Sequence, residues 1–138
     1  MDIRDDVKTE LDGQSRRLAN IQTNMIKALT NGESIANLAV LTLARAEKQV
    51  QLWSNVAKAF ARVDAGDVVK SVETDLNVLA ACLGFVDQEL VTYSPRSSTD
   101  QWANLVDRAQ HEARVIFRSD LESMIASFSR TIKLTGSN

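Results

Sequence analysis

One cysteine, one histidine, one proline and five glycines stand in a chain of 138 residues. Each scarcity excludes something. A lone Cys82 cannot close an internal disulfide, so no disulfide framework holds this fold together. It lies among Leu79, Ala80, Ala81 and Leu83, the setting of a buried, unreactive thiol rather than an electropositive nucleophile site. A lone His111 must serve every histidine-dependent chemistry at once. A Ser-His-Asp or Cys-His system would need it beside a nucleophile, and no spacing brings Cys82 to it. A di-iron bundle needs two Glu-x-x-His motifs, and a structural zinc site needs more His or Cys than the chain owns. Among the glycines there is no GxGxxG, GxxxxGK[ST] or GxSxG. No catalytic, cofactor-binding or metal-binding residue is therefore assigned, and a non-enzyme is expected.

Chain-breakers are too few for a β-sandwich or barrel, which need turn residues every eight to twelve positions. A positive surplus is absent too, since the net charge is -2. Nucleic-acid binding usually rests on such a surplus, so no nucleic-acid partner is expected. The most apolar run, Ile35–Leu43, is broken by Asn37 and Thr42, and falls well short of the roughly 20 residues a membrane span needs. The acidic start Met-Asp-Ile-Arg-Asp-Asp does not resemble a secretory or transit signal. A soluble, cytoplasmic protein is expected.

What the chain does have is helical periodicity. Ile3, Val7, Leu11, Leu18, Ile21, Met25 and Leu29 form one narrow stripe at three, four and seven. The flanking Asp2, Asp5, Asp6, Glu10 and Asp12 suit a solvated helix start; an acidic docking surface is the sharper alternative. Ile35, Leu38, Thr42, Ala46, Gln49, Trp53, Val56, Phe60 and Val63 form a second stripe, widened by Val40, Leu41, Leu43, Val50 and Leu52. A third runs from Val68 to Leu90 and contains Gly84, a candidate kink or close helix crossing. A fourth includes Trp102, Leu105, Ala109, Ala113, Ile116, Phe117, Leu121, Ile125 and Phe128.

Boundary chemistry separates the stripes. Thr30 with Glu33 matches a capping box, while Gly32 offers a left-handed helix end in competition with it. Gly66 followed by Asp67 reads as a stop and a new cap. Pro95 breaks the chain after Ser94, and Ser98 with Gln101 reads as the cap of the last helix. The expectation is an all-α, up-down antiparallel bundle in one domain, residues 1–138. Its four long helices fall near 2–30, 33–63, 67–93 and 99–134. The alternative fuses the first two into one long bent helix, leaving three.

Three features bear on function. Arg108, His111, Arg114 and Arg118 share an arc of the last helix, away from its apolar stripe. The bland reading is a mixed solvated face; the sharper one is a docking stripe for an acidic partner or an anionic membrane surface. A smaller basic set, Arg45, Lys48, Lys58 and Arg62, lies on the second segment. The stripes of segments two and four are also wider than a four-helix seam needs. Ala39, Val40, Leu43, Val50, Ile125 and Phe128 are candidates for a face buried against another subunit. Trp53 and Trp102 are expected in the core, and Tyr93 at a helix end with its hydroxyl in water.

In helix length and heptad-like spacing, for example Leu52-Trp53-Ser54-Asn55-Val56-Ala57-Lys58-Ala59-Phe60, the chain loosely resembles the coiled-coil domains of BAR and sorting-nexin proteins and the bundles of vinculin and talin. A complete BAR domain is substantially longer, and no functional residue is carried over. The resulting expectation is an interaction or assembly protein, acting as a homo-oligomer or as an adaptor docking a partner helix. A peripheral membrane-binding or membrane-shaping module is the alternative.

Overall fold

The computed structural model describes residues 2–66 and 71–136. Four helices account for most of them: α1 Ile3–Thr30, α2 Asn37–Ala65, α3 Val72–Val91 and α4 Gln101–Gly136. There is no strand among the described residues. The helices pack as a four-helix bundle, as the periodicity predicts.

The caps explain where each helix stops. Asp2 opens α1 by accepting from the Arg4 amide at 2.9 Å, and Asp5 and Asp6 follow in the first turn. Gly32 ends it with φ of 75°. The Gly32 amide donates to the Leu29 carbonyl and the Glu33 amide to the Ala28 carbonyl, which is a Schellman closure. That closure defeats the expected Thr30–Glu33 capping box. The Glu33 amide is already used by α1, and the Thr30 hydroxyl donates back to the Ile26 carbonyl at 2.8 Å. Consequently α2 starts at Asn37, four residues later than expected, behind Ala36, which makes no side-chain cap. The same reversal excludes the fused three-helix alternative.

Gly66 does end α2, its amide donating to the Val63 carbonyl. Asp67 lies outside the described residues; the cap of α3 is Ser71, which accepts from the Thr74 amide at 3.1 Å. The cap of α4 is Asp100, not Ser98. Its carboxylate accepts from the amides of Trp102 and Ala103 at 3.0 and 3.2 Å. A carboxylate at the helix mouth beats a hydroxyl because it meets two free amides and the dipole with a full charge.

The pairings set a clear register. Arg4 of α1 pairs with Asp64 near the end of α2, so these two run antiparallel over their full lengths. In α4, Arg118 pairs with Asp87 of α3 and Arg114 with Glu89, again antiparallel. Across the middle, α2 and α4 run parallel. Arg45 pairs with Glu112 at 3.0 Å, Gln49 bonds to Ala113, and Trp53 meets Phe117 edge-on at 5.0 Å. Trp53, Leu79 and Leu121 are fully buried around this seam, with Val56, Phe60, Val86 and Phe117 beside them. By contrast α1 and α4 barely meet, although both lie against α2.

Two expected core features lie elsewhere. Trp102 is 49% exposed, because it stands in the first turn of α4 beyond the reach of α3. Gly84 makes no close helix crossing: a Cβ added there would meet open space.

Candidate interaction surface

The unequal lengths of the helices shape one end of the bundle. The Glu89–Arg114 and Asp87–Arg118 pairs set Val91, the last residue of α3, level with about the third turn of α4. From there α4 continues toward its own start for about 16 Å at 1.5 Å per residue. No helix occupies the position of α3 over that length.

An extended strap follows α4 instead. The Tyr93 hydroxyl and the Arg96 amide both donate to one carboxylate oxygen of Asp107, at 2.9 and 3.0 Å. Further along, Asn104 clasps Ser98, accepting from its amide and donating to its carbonyl at 3.1 and 2.9 Å. The Arg96 amide, and then the Tyr93 hydroxyl, hold the Asp107 carboxyl below its ordinary range. Desolvation, then the bond to Asp107, pushes the Tyr93 phenol up. The Tyr93 hydroxyl is thus bonded to protein, where the sequence suggested water. His111 stacks flat on the Tyr93 ring, with centroids 3.8 Å apart. Asp107 faces the strap, and no bond joins it to His111.

The strap leaves the other side of this end open. Leu18, Ile21 and Met25 of α1 are half-buried, while Ile26 and Leu29 are 64% and 56% exposed. Across the turn, Leu38 of α2 is 68% exposed. The antiparallel register of α1 and α2 sets Leu29 level with Leu38. The parallel register of α2 and α4 sets Leu38 level with Trp102. Exposed apolar side chains of three helices thus lie at one level of the bundle, those of α1 and α4 apart from each other. Between α1 and α2 the same end carries a groove of about 410 Å³, lined by Ile21, Met25, Ala28, Ile35, Leu38 and Ala39 among others.

Charge is sparse along the α1–α2 part of this end. From Leu18 to Ala44 the only charged side chains are Lys27 and Glu33. Both are exposed, and neither has an ion-pair partner among the described residues. Arg16 and Arg17 precede this stretch and Arg45 follows it. The signal was present in the sequence as an interval with only two charged residues, and stripe counting alone passes over it.

The residues singled out from the sequence fare unequally. Phe128 is only 4% exposed and belongs to the bundle's own core, since it follows Phe117 and Leu121 on one face of α4. It is not available to a partner. Ile125 is half-buried against the same core. Val40, Leu43 and Val50 are half-buried, and Ala39 lines the groove. The structure therefore does not join these six into one face.

The cationic arc is engaged within the protein. Arg114 holds Glu89 at 2.8 Å, with its side chain 18% exposed. Arg118 is shared by Asp87 and Glu122, and these carboxylates raise its pKa. Arg108 approaches Glu112 at 3.8 Å and stays 69% exposed. Of the smaller set, Arg45 pairs with Glu112. Lys48 donates to Gln51, and its pKa is lowered by burial and then by Arg114. Lys58 and Arg62 border a separate groove with Cys82, Phe85 and Glu89.

Among the described residues, no group of three His, Cys, Asp or Glu side chains is placed to hold a metal ion. No helix there is long and apolar enough to cross a membrane. No family model, curated protein or solved structure matches this chain.

Proposed function

We propose that this chain is a non-enzymatic helical interaction module that docks a protein partner through the open end of its bundle. One observation carries the reading. Leu29 and Leu38 are exposed at the α1–α2 turn beside an apolar groove, in a stretch whose only charged residues are Lys27 and Glu33. Isolated exposed apolar residues are ordinary; a gathered set beside an apolar groove marks a surface that another molecule covers. The rest of the molecule supplies the rigid support that such a site needs.

A photoreactive phenylalanine analogue replacing Leu29, set beside one replacing Phe85 on α3, tests this in cells. Adducts formed from position 29 and absent from position 85 support the reading. Their absence from position 29 ends it. Phe85 is a fair control because it is 72% exposed on a different face.

The membrane alternative draws less support from the geometry. Arg114 and Arg118 already neutralise Glu89, Asp87 and Glu122. Anionic lipid would have to compete with those carboxylates. Co-flotation with phosphatidylserine vesicles at low salt decides between the two, and no flotation is expected.

A further inference from the structure

We propose that the groove between α2 and α3 binds a single-chain fatty carboxylate, its tail along the groove and its head at Lys58 and Arg62. The groove encloses about 370 Å³, within the range of small-molecule sites, roughly 300 to 1,000 Å³. Its apolar lining joins the buried Leu52, Val56, Val86 and Phe117 to Cys82 and the exposed Phe85. Charge stands at its two ends. The parallel α2–α4 and antiparallel α3–α4 registers set Glu89 level with Gln49, and Cys82 level with Lys58. Lys58 and Arg62 are therefore at one end of the groove and Glu89 is at the other.

The two ends differ in how their charge is met. Glu89 is answered within the protein by Arg114 at 2.8 Å. Lys58 and Arg62 have no acidic residue three or four positions away on α2. Neither has an ion-pair partner among the described residues, whereas Arg45, Arg114 and Arg118 each hold a carboxylate. Like charges one turn apart disfavour a helix, and an anion between them removes that penalty. The complement of this groove is thus an apolar body with one negative end. From Leu52 to Arg62, α2 rises about 15 Å at 1.5 Å per residue, close to the extended length of dodecanoate. Its carboxylate can accept from the Arg62 guanidinium as a fork and from the Lys58 ammonium as a point charge. An acidic peptide helix would carry charge along its length, and the unpaired cations here stand at one end only.

Calorimetric titration of the full chain tests the proposal, using monomeric dodecanoate and, beside it, dodecyltrimethylammonium, which has the same tail and the opposite head. One-to-one binding of dodecanoate is expected, at least about tenfold tighter than that of the cation. Lys58→Glu combined with Arg62→Glu should reverse this preference. Both positions are exposed, so helicity should be unchanged in that variant. Arg17→Glu, exposed on α1, should leave the preference as it was. Saturating dodecanoate should also slow alkylation of Cys82 by iodoacetamide, because Cys82 lines the groove.

A chain with no saturable dodecanoate binding overturns the proposal. So does equal affinity for the two heads, which would mark a merely apolar recess, or a doubly reversed variant of native helicity that keeps the carboxylate preference. Unchanged Cys82 alkylation at saturation would place the ligand elsewhere, and overturns it too.

Discussion

The side-chain amide of Gln49 donates to the backbone carbonyl of Ala113 at 3.0 Å, across a seam otherwise closed by carbon. Gln49 is 6% exposed and is the buried polar residue of the core. Its Oε1 finds no partner among the described residues. A buried, unpaired acceptor offsets most of what the single bond contributes. Replacing Gln49 with Leu should therefore change stability by less than about 1 kcal/mol. Gln49→Ala, which leaves a hole beside Trp53, should cost about 2 to 3 kcal/mol. Urea denaturation of the two variants separates the polar contribution from the packing one.

Gly32 gives a cleaner case, because space plays no part. An added Cβ would meet nothing within 4 Å, yet the backbone stands at φ 75°. Gly32→Ala should cost about 1 to 2 kcal/mol from left-handed strain alone. Thermal unfolding reads this as a lowered midpoint with helicity retained below it.

The strap responds to acid in one direction only. Asp107 is held below the ordinary carboxyl value of 3.8, so its contribution is complete above that value. It is lost as pH falls through the lower, folded value. Amide exchange at Arg96 should be flat with pH, once intrinsic rates are removed, from neutrality down to the ordinary carboxyl range. Protection should then fall. Asp107→Ala should remove that protection at neutral pH while leaving the amides of α2 unaffected. An Arg96 amide equally protected in this variant would mean that the strap is held by Asn104 alone.

Cys82 should react slowly. Burial pushes its thiol pKa above the ordinary cysteine value. A disulfide reagent should modify it at neutral pH more slowly than it modifies the unfolded chain, and faster as pH rises. Modification at the unfolded rate would show that the α2–α3 groove opens freely.

Much of the fold was legible because it rests on local rules. Apolar residues at three and four gave the helices, and Gly32, Gly66 and Pro95 marked their ends. The errors lie where two local rules competed or where a neighbour decided. Thr30–Glu33 and Gly32 were rival signals for the same amides, and the glycine closure won because it satisfies two carbonyls of α1. Ser98 was the expected cap of α4, but the Asp100 carboxylate two residues on takes the free amides. Trp102 fits the α4 stripe, yet no periodicity in α4 reveals that α3 stops three turns short. Phe128 looked spare because stripe width does not say which helix covers it. The salt bridges of Arg114 and Arg118 were invisible for the same reason, since their partners lie on α3.

The parallel α2–α4 seam also orders the events of folding. The hairpins α1–α2 and α3–α4 each join neighbours in sequence, whereas Gln49 and Ala113 are 64 residues apart. Closing so long a loop costs chain entropy before the seam returns any contact. The hairpins are therefore expected to gain structure first, with the Trp53–Phe117 contact forming at a later docking step. Lower φ-values at Trp53 and Phe117 than at helix-internal positions of the hairpins would bear this out; the reverse order would place the nucleus in the seam.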